Sequence, residues 1–240
     1  MSLPFCPTAR RTRIVSGVPL GGHRERVAWV AKHGVPYGTK RWLEGRARVI
    51  AALDGAGVHL DLVSLGCGSF GCAYPVQGQP EVAVKITGDP SEAAAAAAVI
   101  AARQRGHSFP ALVTFHCAYS VRGSGLFVLI QERLERLDAR ERMFLTERSA
   151  ELIAAVSYPE RTRALSARTL ARLGSVDAVQ VEALVTTMVA LRAAGIGWAD
   201  LHTGNVLADP RSGAWKIIDL GVSTVPPQAV PQLGWPRGWG

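Results

Sequence analysis

The sequence predicts an α+β protein with two parts, a five-stranded antiparallel sheet that carries one helix and a smaller, mainly helical part. Three features of the 240-residue chain support this expectation. Short apolar segments separated by glycine- and proline-containing turns run through residues 58–134, as in antiparallel sheets. An alanine-rich helical segment at residues 89–105 interrupts them. Beyond residue 134, apolar residues recur at helical spacing over residues 138–156 and 176–194.

Five segments are expected to form the strands of the sheet, at residues 58–65, 72–77, 81–87, 111–121 and 126–131. The first segment alternates as a strand does, and its expected core residues are Leu60, Leu62 and Leu65. Glycine-containing turns separate the second segment from the third and the fourth from the fifth, which indicates two hairpins.

Residues 1–57 are expected to form a basic extension. Residues 1–22 are rich in Pro, Gly and Arg without periodicity, so we expect irregular structure there. A helix is predicted over residues 39–55. Residues 1–50 hold ten of the 27 Lys and Arg residues but two of the 19 acidic residues, a balance that would suit nucleic acid or an acidic partner. Aromatic residues are not regularly interleaved with these charges, so a solvated surface is the favoured interpretation.

Composition limits the classes of protein to which the chain can belong. A hydrophobic fraction of 48% is enough for one core, or for two small lobes that share a cleft. No secretory signal is recognisable, and the longest strongly apolar stretch, residues 93–102, is too short for a membrane span. The four cysteines form no C-x-x-C pair and no metal-ligand spacing. We therefore expect a reduced, cytoplasmic protein.

Two carboxylates and an amide give the strongest functional signal. Asp200 precedes Asn205 by five residues, and Asp219 follows fourteen residues later at the end of an apolar run. Phosphoryl transfer needs such a set, because one carboxylate orients the acceptor hydroxyl while an amide and another carboxylate hold Mg²⁺ against the ATP phosphates. The pattern predicts an ATP- and Mg²⁺-dependent phosphotransferase.

A glycine-rich segment precedes the second expected strand, with the sequence Gly66-Cys67-Gly68-Ser69-Phe70-Gly71. A G-x-G-x-x-G pattern can also open a dinucleotide-binding unit, but it should then lead into a helix. Here two strands follow, which favours a hairpin that covers a nucleotide. Glycines allow backbone N–H groups to approach phosphates closely, so Gly66, Gly68, Ser69, Phe70 and Gly71 are the expected phosphate contacts.

Lys85 lies in the third expected strand, within Val82-Ala83-Val84-Lys85-Ile86, and is one of only four lysines. A strand lysine is often a solvated edge residue, but the preceding glycine-rich segment favours a role in phosphate binding. Asp89 and Glu92 are the only acids between Lys85 and Glu132. Asp89 or Ser91 can cap the helix that follows, and by elimination Glu92 is the expected partner of Lys85. Alternatively, Glu92 only complements the helix dipole.

The order of these motifs from residue 60 to residue 221 resembles that of protein kinases. The resemblance implies a two-lobe fold, with an N-terminal lobe at residues 58–134 and a reduced C-terminal lobe with a proline-rich tail at residues 135–240. It implies that Asp200 positions the acceptor, that Asn205 and Asp219 hold Mg²⁺, and that Lys85 with Glu92 clamps ATP under a glycine lid. By position, Gln131 would be the gatekeeper, with Glu132 and Leu134 in the hinge that binds adenine.

Three departures from protein kinases narrow the expected function. Trp198 and Ala199 replace the usual His-Arg before the catalytic aspartate, so we expect no switch by activation-loop phosphorylation. The D-L-H-x-G-N form, with His202, is more similar to aminoglycoside and choline-type phosphotransferases. Only 19 residues follow Gly221 and they contain no A-P-E motif. Truncation of this kind resembles that of RIO kinases and of small kinase-like proteins of bacteria and phages.

Three functions remain as hypotheses. The first is an atypical protein kinase that phosphorylates serine or threonine in an unknown protein, supported by the complete set of catalytic residues. The second is a small-molecule phosphotransferase, supported by the D-L-H-x-G-N form. The third is a nucleotide-binding scaffold that docks a partner through residues 1–50, which the retention of Asp200 disfavours.

Overall fold

The computed structural model describes residues 6, 11–15, 18, 22–157 and 175–233. These residues form five helices, α1 (His23–His33), α2 (Lys40–Asp54), α3 (Pro90–Gln104), α4 (Ala139–Ser157) and α5 (Ser175–Ala193). The first five strands along the chain are β1 (Arg11–Val15), β2 (Gly66–Cys67), β3 (Gly71–Val76), β4 (Gln79–Thr87) and β5 (Phe115–Val121). The others are β6 (Phe127–Glu132), β7 (Glu135–Arg136), β8 (Val206–Ala208), β9 (Trp215–Ile217) and β10 (Gln228–Leu233).

The α+β class is confirmed, but the expected five-stranded antiparallel sheet is wrong. The larger sheet has seven strands in the order β1-β10-β5-β6-β4-β3-β2. It is mixed, because β10 runs parallel to β5 while the other neighbours are antiparallel. Strands β7, β8 and β9 form a second, three-stranded sheet. The two additional strands of the large sheet, β1 and β10, come from chain segments more than 200 residues apart, and local periodicity carries no information on such pairing.

The first expected strand, residues 58–65, is also wrong. This segment runs beside β3, and the Asp61 and Leu65 amides donate hydrogen bonds to its carbonyls, but the pairing amounts to an isolated bridge between Leu60 and Val76 and not to a strand. The Asp61 carboxylate accepts a hydrogen bond from the Val63 amide at 3.1 Å, a local turn that competes with strand pairing. Leu60 is buried as expected, whereas Leu62 is 54% exposed. β3, β4, β5 and β6 match the other four expected segments, with shifted ends and a later start for β5.

The N-terminal residues are part of the folded body where the structure describes them. The expectation of irregular structure over residues 1–22 is wrong at β1, which pairs with β10. Helix α2 confirms the helix expected at 39–55 and covers one face of the large sheet. Two of its arginines bind that sheet, since Arg46 donates to the Tyr74 hydroxyl at 2.9 Å and Arg48 donates to the Gly123 carbonyl at 2.8 Å. Part of the basic charge therefore docks α2.

Helix α3 lies on the opposite face of the sheet and is buried on almost every side. Its alanines allow backbones to approach closely, and a helix with neighbours all round has no need of a polar face. Seven of its residues join a core shared with α4, α5 and the small sheet: Ala93, Ala94, Ala95, Ala96, Ala98, Val99 and Ala102. The core on the α2 side is separate. The side of β4 that faces away from α2 therefore meets α3.

Helices α4 and α5 confirm the two helices expected after residue 134. In α5, Leu184, Met188 and Leu191 are buried in the core, whereas Val179 is exposed. Residues 158–174 and 234–240, including the end of the proline-rich tail, lie outside the described residues. The preceding part of that tail forms β10 in the large sheet, although the sequence assigned it to the second lobe.

The cysteines differ from the expectation of four reduced thiols. The structure joins Cys6 to Cys117 and Cys67 to Cys72 as disulfides. The register of β2 against β3 places Cys67 directly opposite Cys72, and Cys117 lies in β5. Both pairs depend on chain pairing rather than on a spacing motif, so the sequence pattern did not reveal them. Within the described ranges, the helices include none with the length and apolar character to cross a membrane.

Candidate functional site

Lys85 lies at the centre of a buried charge cluster between β4 and α3. Its neighbours Val84 and Ile86 point into the core on the α2 side, so strand alternation turns Lys85 to the α3 side. Its Nζ contacts Oε1 of Glu92 and lies 2.8 Å from Oδ2 of Asp219. The Glu92 side chain is 2% exposed and that of Lys85 is 13% exposed. The structure thus brings together three residues that the sequence selected separately.

The local sequence explains why Glu92 reaches Lys85. Two residues, Thr87 and Gly88, separate the end of the Val82–Ile86 run from Asp89, which is the N-cap of α3. Asp89 accepts hydrogen bonds from the amides of Ser91 and Glu92, as N-cap carboxylates do. Pro90 occupies the first turn, where a missing N–H costs nothing. Glu92 therefore lies in the first turn of α3, one short connection away from the lysine.

One lysine faces two carboxylates in this cluster, those of Glu92 and Asp219. Burial alone would lower the pKa of Lys85, but the carboxylates of Asp219 and Glu92 outweigh it and raise that pKa. For Asp219, burial opposes ionisation, yet Lys85 and the Gly221 amide prevail and lower the pKa. Burial and the Asp219 charge raise the pKa of Glu92 despite the nearby Lys85. A cation bound beside Asp219 would offset the repulsion between the Asp219 and Glu92 carboxylates.

The loop at residues 198–205 places Asp200 and Asn205 beside this cluster. The Asn205 side chain is buried, and its Nδ2 donates to the Asp200 carbonyl at 2.8 Å and to Asp200 Oδ2 at 3.2 Å. The Ile218 amide donates to the Asn205 carbonyl at 3.0 Å, next to Asp219. These contacts follow from β8 and β9, whose pairing aligns Val206 with Ile217. Asp200, Asn205 and Asp219 are thereby connected through backbone and side-chain bonds.

Asn205 and Asp219 can supply two ligands to a metal ion. Because the Asn205 nitrogen is bound to Asp200, its amide oxygen is the atom that can serve as a ligand, and hard cations prefer oxygen. Among the residues that the structure describes, no group of three or more His, Cys, Asp and Glu side chains could hold a metal by itself. Mg²⁺ is usually bound by one or two protein oxygens together with substrate phosphates.

His202, the residue that distinguishes the loop from the usual pattern, is half exposed. Its Nδ1 accepts a hydrogen bond from the Gly204 amide at 3.0 Å, and its Nε2 lies 3.8 Å from Asp200 Oδ2. Its first contact is therefore within the loop, where it fixes the backbone between Asp200 and Asn205.

The glycines of the glycine-rich loop, residues 66–71, lie in two different environments. A Cβ at Gly71 would overlap the Ile86 carbonyl oxygen and lie 2.9 Å from the Cα of Thr87, so β3 could not pair closely with β4. A Cβ at Gly66 or Gly68 would meet no atom within 4 Å. Packing of the chain thus requires Gly71 but does not explain the other two, which are exposed and have open space beside them.

The rest of the glycine-rich loop is held in place by neighbours. The Gly68 amide donates to the Gly71 carbonyl at 2.8 Å, which closes the turn. The carbonyls of Ser69 and Phe70 accept hydrogen bonds from the amides of Tyr37 and Gly88 at 2.9 and 2.7 Å. Because β3 pairs with β4 so that Ala73 lies opposite Lys85, the loop ends two residues before the position that faces the lysine.

The linker at residues 132–134 contains Glu132 and Leu134, the residues expected to contact adenine. The Glu132 amide donates to the Thr114 carbonyl at 3.0 Å, and its carboxylate accepts from the Thr114 amide at 2.7 Å and pairs with Lys216 at 3.6 Å. The Arg133 amide donates to the Glu81 carbonyl at 2.7 Å. The Glu132 side chain thus braces the linker, and Leu134 is the remaining expected donor to a base. Gln131 is buried beside Ala83, and its Oε1 has no hydrogen-bond partner.

One contact of the site was missed by sequence reasoning. Asp89 was considered only as a helix cap, yet its second carboxylate oxygen accepts a hydrogen bond from the Val222 amide at 3.1 Å. These residues lie 133 positions apart in the chain, and no local signal connects them.

A scan of the chain against models of known protein families finds no match, and a search of curated proteins finds no similar sequence. Functional inference for this chain therefore rests on its residues and their geometry.

Proposed function

We propose that this protein is an ATP-dependent phosphotransferase with a kinase-like two-lobe organisation, most consistent with an atypical Ser/Thr protein kinase. The observation that supports it best is the contact of Lys85 with both Glu92 and Asp219. An N-terminal lobe would consist of the large sheet with α3, and a C-terminal lobe of the small sheet with α4 and α5. These two contacts join a strand lysine, a helix glutamate and the aspartate of an Asp-Leu-Gly turn, which is the arrangement that protein kinases need for phosphoryl transfer.

The cofactor of this proposal is Mg-ATP, which supplies the transferable γ-phosphate and neutralises its charge. Two features of the site fit Mg-ATP. Gly66 and Gly68 leave open space beside the loop, and Asn205 and Asp219 offer ligand oxygens next to Lys85. Lys85 binds phosphate oxygens, and Glu92 fixes the direction of its side chain. Backbone amides of the glycine-rich loop, with Ser69 and Phe70 at its tip, cover the phosphates.

Asp200 would act on the acceptor. Its side chain is 40% exposed, so it faces the solvent side of the cleft, and the Asn205 amide fixes its orientation. A carboxylate held in this way can accept a hydrogen bond from the attacking hydroxyl and orient it toward the phosphate. His202 holds the loop between these two residues rather than contacting the phosphates.

A protein acceptor is favoured over a small molecule by the exposure of the Asp200 side chain, which is 40% exposed. A small-molecule pocket needs walls around the acceptor. The D-L-H-x-G-N form keeps a small-molecule alcohol as the second candidate acceptor.

Transfer of label from γ-labelled Mg-ATP tests the proposal, with the protein alone, with cell lysate and with a low-molecular-weight metabolite fraction. Asp200→Asn removes one charge with little change of shape, and Asp209→Asn is the matched change in the exposed turn between β8 and β9. We expect labelled protein with the wild type and with D209N, and a loss of roughly 100-fold or more with D200N.

Label transfer that requires the metabolite fraction would replace the protein acceptor by a small molecule. Nucleotide binding without turnover under every condition would contradict the proposed function and favour the scaffold hypothesis.

A further inference from the structure

Asp89 uses its two carboxylate oxygens for two different elements. Oδ1 accepts hydrogen bonds from the Ser91 amide at 2.7 Å and from the Ser91 hydroxyl at 2.6 Å, which caps α3. Oδ2 accepts the Val222 amide at 3.1 Å, directly after the Asp219-Leu220-Gly221 turn. The residue is 2% exposed. A cap needs only one of these oxygens, so the second contact requires its own explanation.

The turn that Asp89 contacts is held in an unfavourable conformation. Val222 has φ of 58°, and among the described residues it is the only non-glycine residue with positive φ. This region is a true outlier for a β-branched residue, and it persists only where the surroundings impose it. A Cβ at Gly221 would lie 2.8 Å from Asp219 Oδ1 and 3.0 Å from Asp89 Oδ2, so the turn is also closely packed.

The same turn fixes the carboxylate of Asp219. The Gly221 amide donates to Asp219 Oδ1 at 2.7 Å, while Oδ2 lies 2.8 Å from Lys85. Asp89 therefore acts one residue beyond the bond that orients Asp219, and three residues before Glu92, the other partner of Lys85. A shift of the start of α3 would disturb both partners of the lysine together.

We propose that Asp89 is a positioning residue, which couples the start of α3 to the Asp219 turn so that the Lys85–Glu92 contact and the orientation of Asp219 form as one unit. This inference rests on the proposed function for its catalytic meaning. The coupling itself is a property of the chain without nucleotide.

Two substitutions separate this role from that of a helix cap. Asparagine and serine are both good N-caps, but each offers a single oxygen acceptor, so Asp89→Asn and Asp89→Ser can retain the cap only by giving up the bond to Val222. Ser91→Ala is the matched control, because it removes a hydrogen-bond partner of the same carboxylate on the side of the cap.

Two measurements on the full chain provide the test. The first is hydrogen exchange of the Val222 amide without nucleotide, and the second is the Mg²⁺ concentration for half-maximal phosphotransfer at saturating ATP. Loss of one hydrogen bond to a charged acceptor corresponds to roughly a tenfold effect. We expect D89N and D89S to exchange faster at Val222 and to need more Mg²⁺, each by roughly tenfold, and S91A to match the wild type in both.

Equal exchange in D89N, D89S and S91A would overturn the coupling. Faster exchange with an unchanged Mg²⁺ requirement would overturn the positioning role, and so would a failure of both Asp89 variants to fold while S91A folds, since the bond would then serve only the fold. If the wild type shows no phosphotransfer at all, the proposed function fails, and the exchange measurement still decides whether Asp89 holds the turn.

Discussion

The glycine-rich loop provides a sharp test, because two of its glycines are predicted to respond in opposite ways to the same substitution. Gly71→Ala places a methyl group against the backbone of β4, where it overlaps the Ile86 carbonyl and lies 2.9 Å from Thr87 Cα. Gly68→Ala places it in open space, with no atom within 4 Å. Neither glycine has a positive φ, so the comparison isolates the effect of space.

The magnitudes follow from these surroundings. Overpacking against a backbone that cannot rotate away costs about 1–3 kcal/mol or more, and about 3 kcal/mol corresponds to a fall in Tm of roughly 6–12 °C for a chain of this size. G68A should leave Tm unchanged within about 1 °C, because it loses no contact and strains no dihedral. If phosphates occupy the space above Gly68, its methyl group should weaken ATP binding by roughly tenfold or more.

Thermal unfolding of the two variants without nucleotide, followed by calorimetric titration with ATP and Mg²⁺, checks both expectations. A G68A variant that binds ATP as tightly as the wild type would refute the assignment of this loop to phosphates. A G71A variant as stable as the wild type would show that β3 and β4 are less closely packed than the structure indicates.

Two further predictions concern the charge cluster and the disulfide beside the loop. Lys85→Met should reduce phosphotransfer by roughly 100-fold or more, because the phosphates lose their buried cation. Lys32→Met, on exposed α1, should have no effect. Initial rates with labelled ATP compare the two variants, and equal rates would contradict the role of Lys85. Serine at both Cys67 and Cys72 should lower the free energy of unfolding by about 2 kcal/mol, because the bond closes a short loop in the unfolded chain. Urea denaturation with and without reductant measures it, and a wild type insensitive to reductant would disprove the bond.

Much of the local structure could be predicted from the sequence because its signals lie within one turn or one strand. Helices α2 to α5 were expected within one or two residues of their ends, since apolar spacing, the Asp89 cap and the glycines at 55 and 57 act locally. The choice of Lys85 and Glu92 also followed from the sequence, because few lysines and acids were available in that stretch. Their contact needed only the short connection between β4 and α3.

What failed was of a different kind. The strand expected at 58–65 was overridden by the Asp61 turn, and Leu62 is exposed although the segment runs beside β3. Alternation predicts which residues would share a face, but it does not decide whether a neighbour exists to bury that face. The adenine contacts of Glu132 and Leu134 were inferred from order in the chain and stay a prediction.

By itself, the sequence predicted helices α2 to α5, strands β3 to β6 and the α+β class, and it singled out the residues proposed to act in phosphate transfer. Only the tertiary structure decided that β1 and β10 extend the sheet, that Cys67 lies opposite Cys72, and that Asp89 reaches the Val222 amide. The physical reason is distance along the chain. Propensity, capping and periodicity act over a few residues. Strand partners and buried hydrogen bonds are instead chosen by the packing of the whole chain, between segments that can lie more than 200 residues apart.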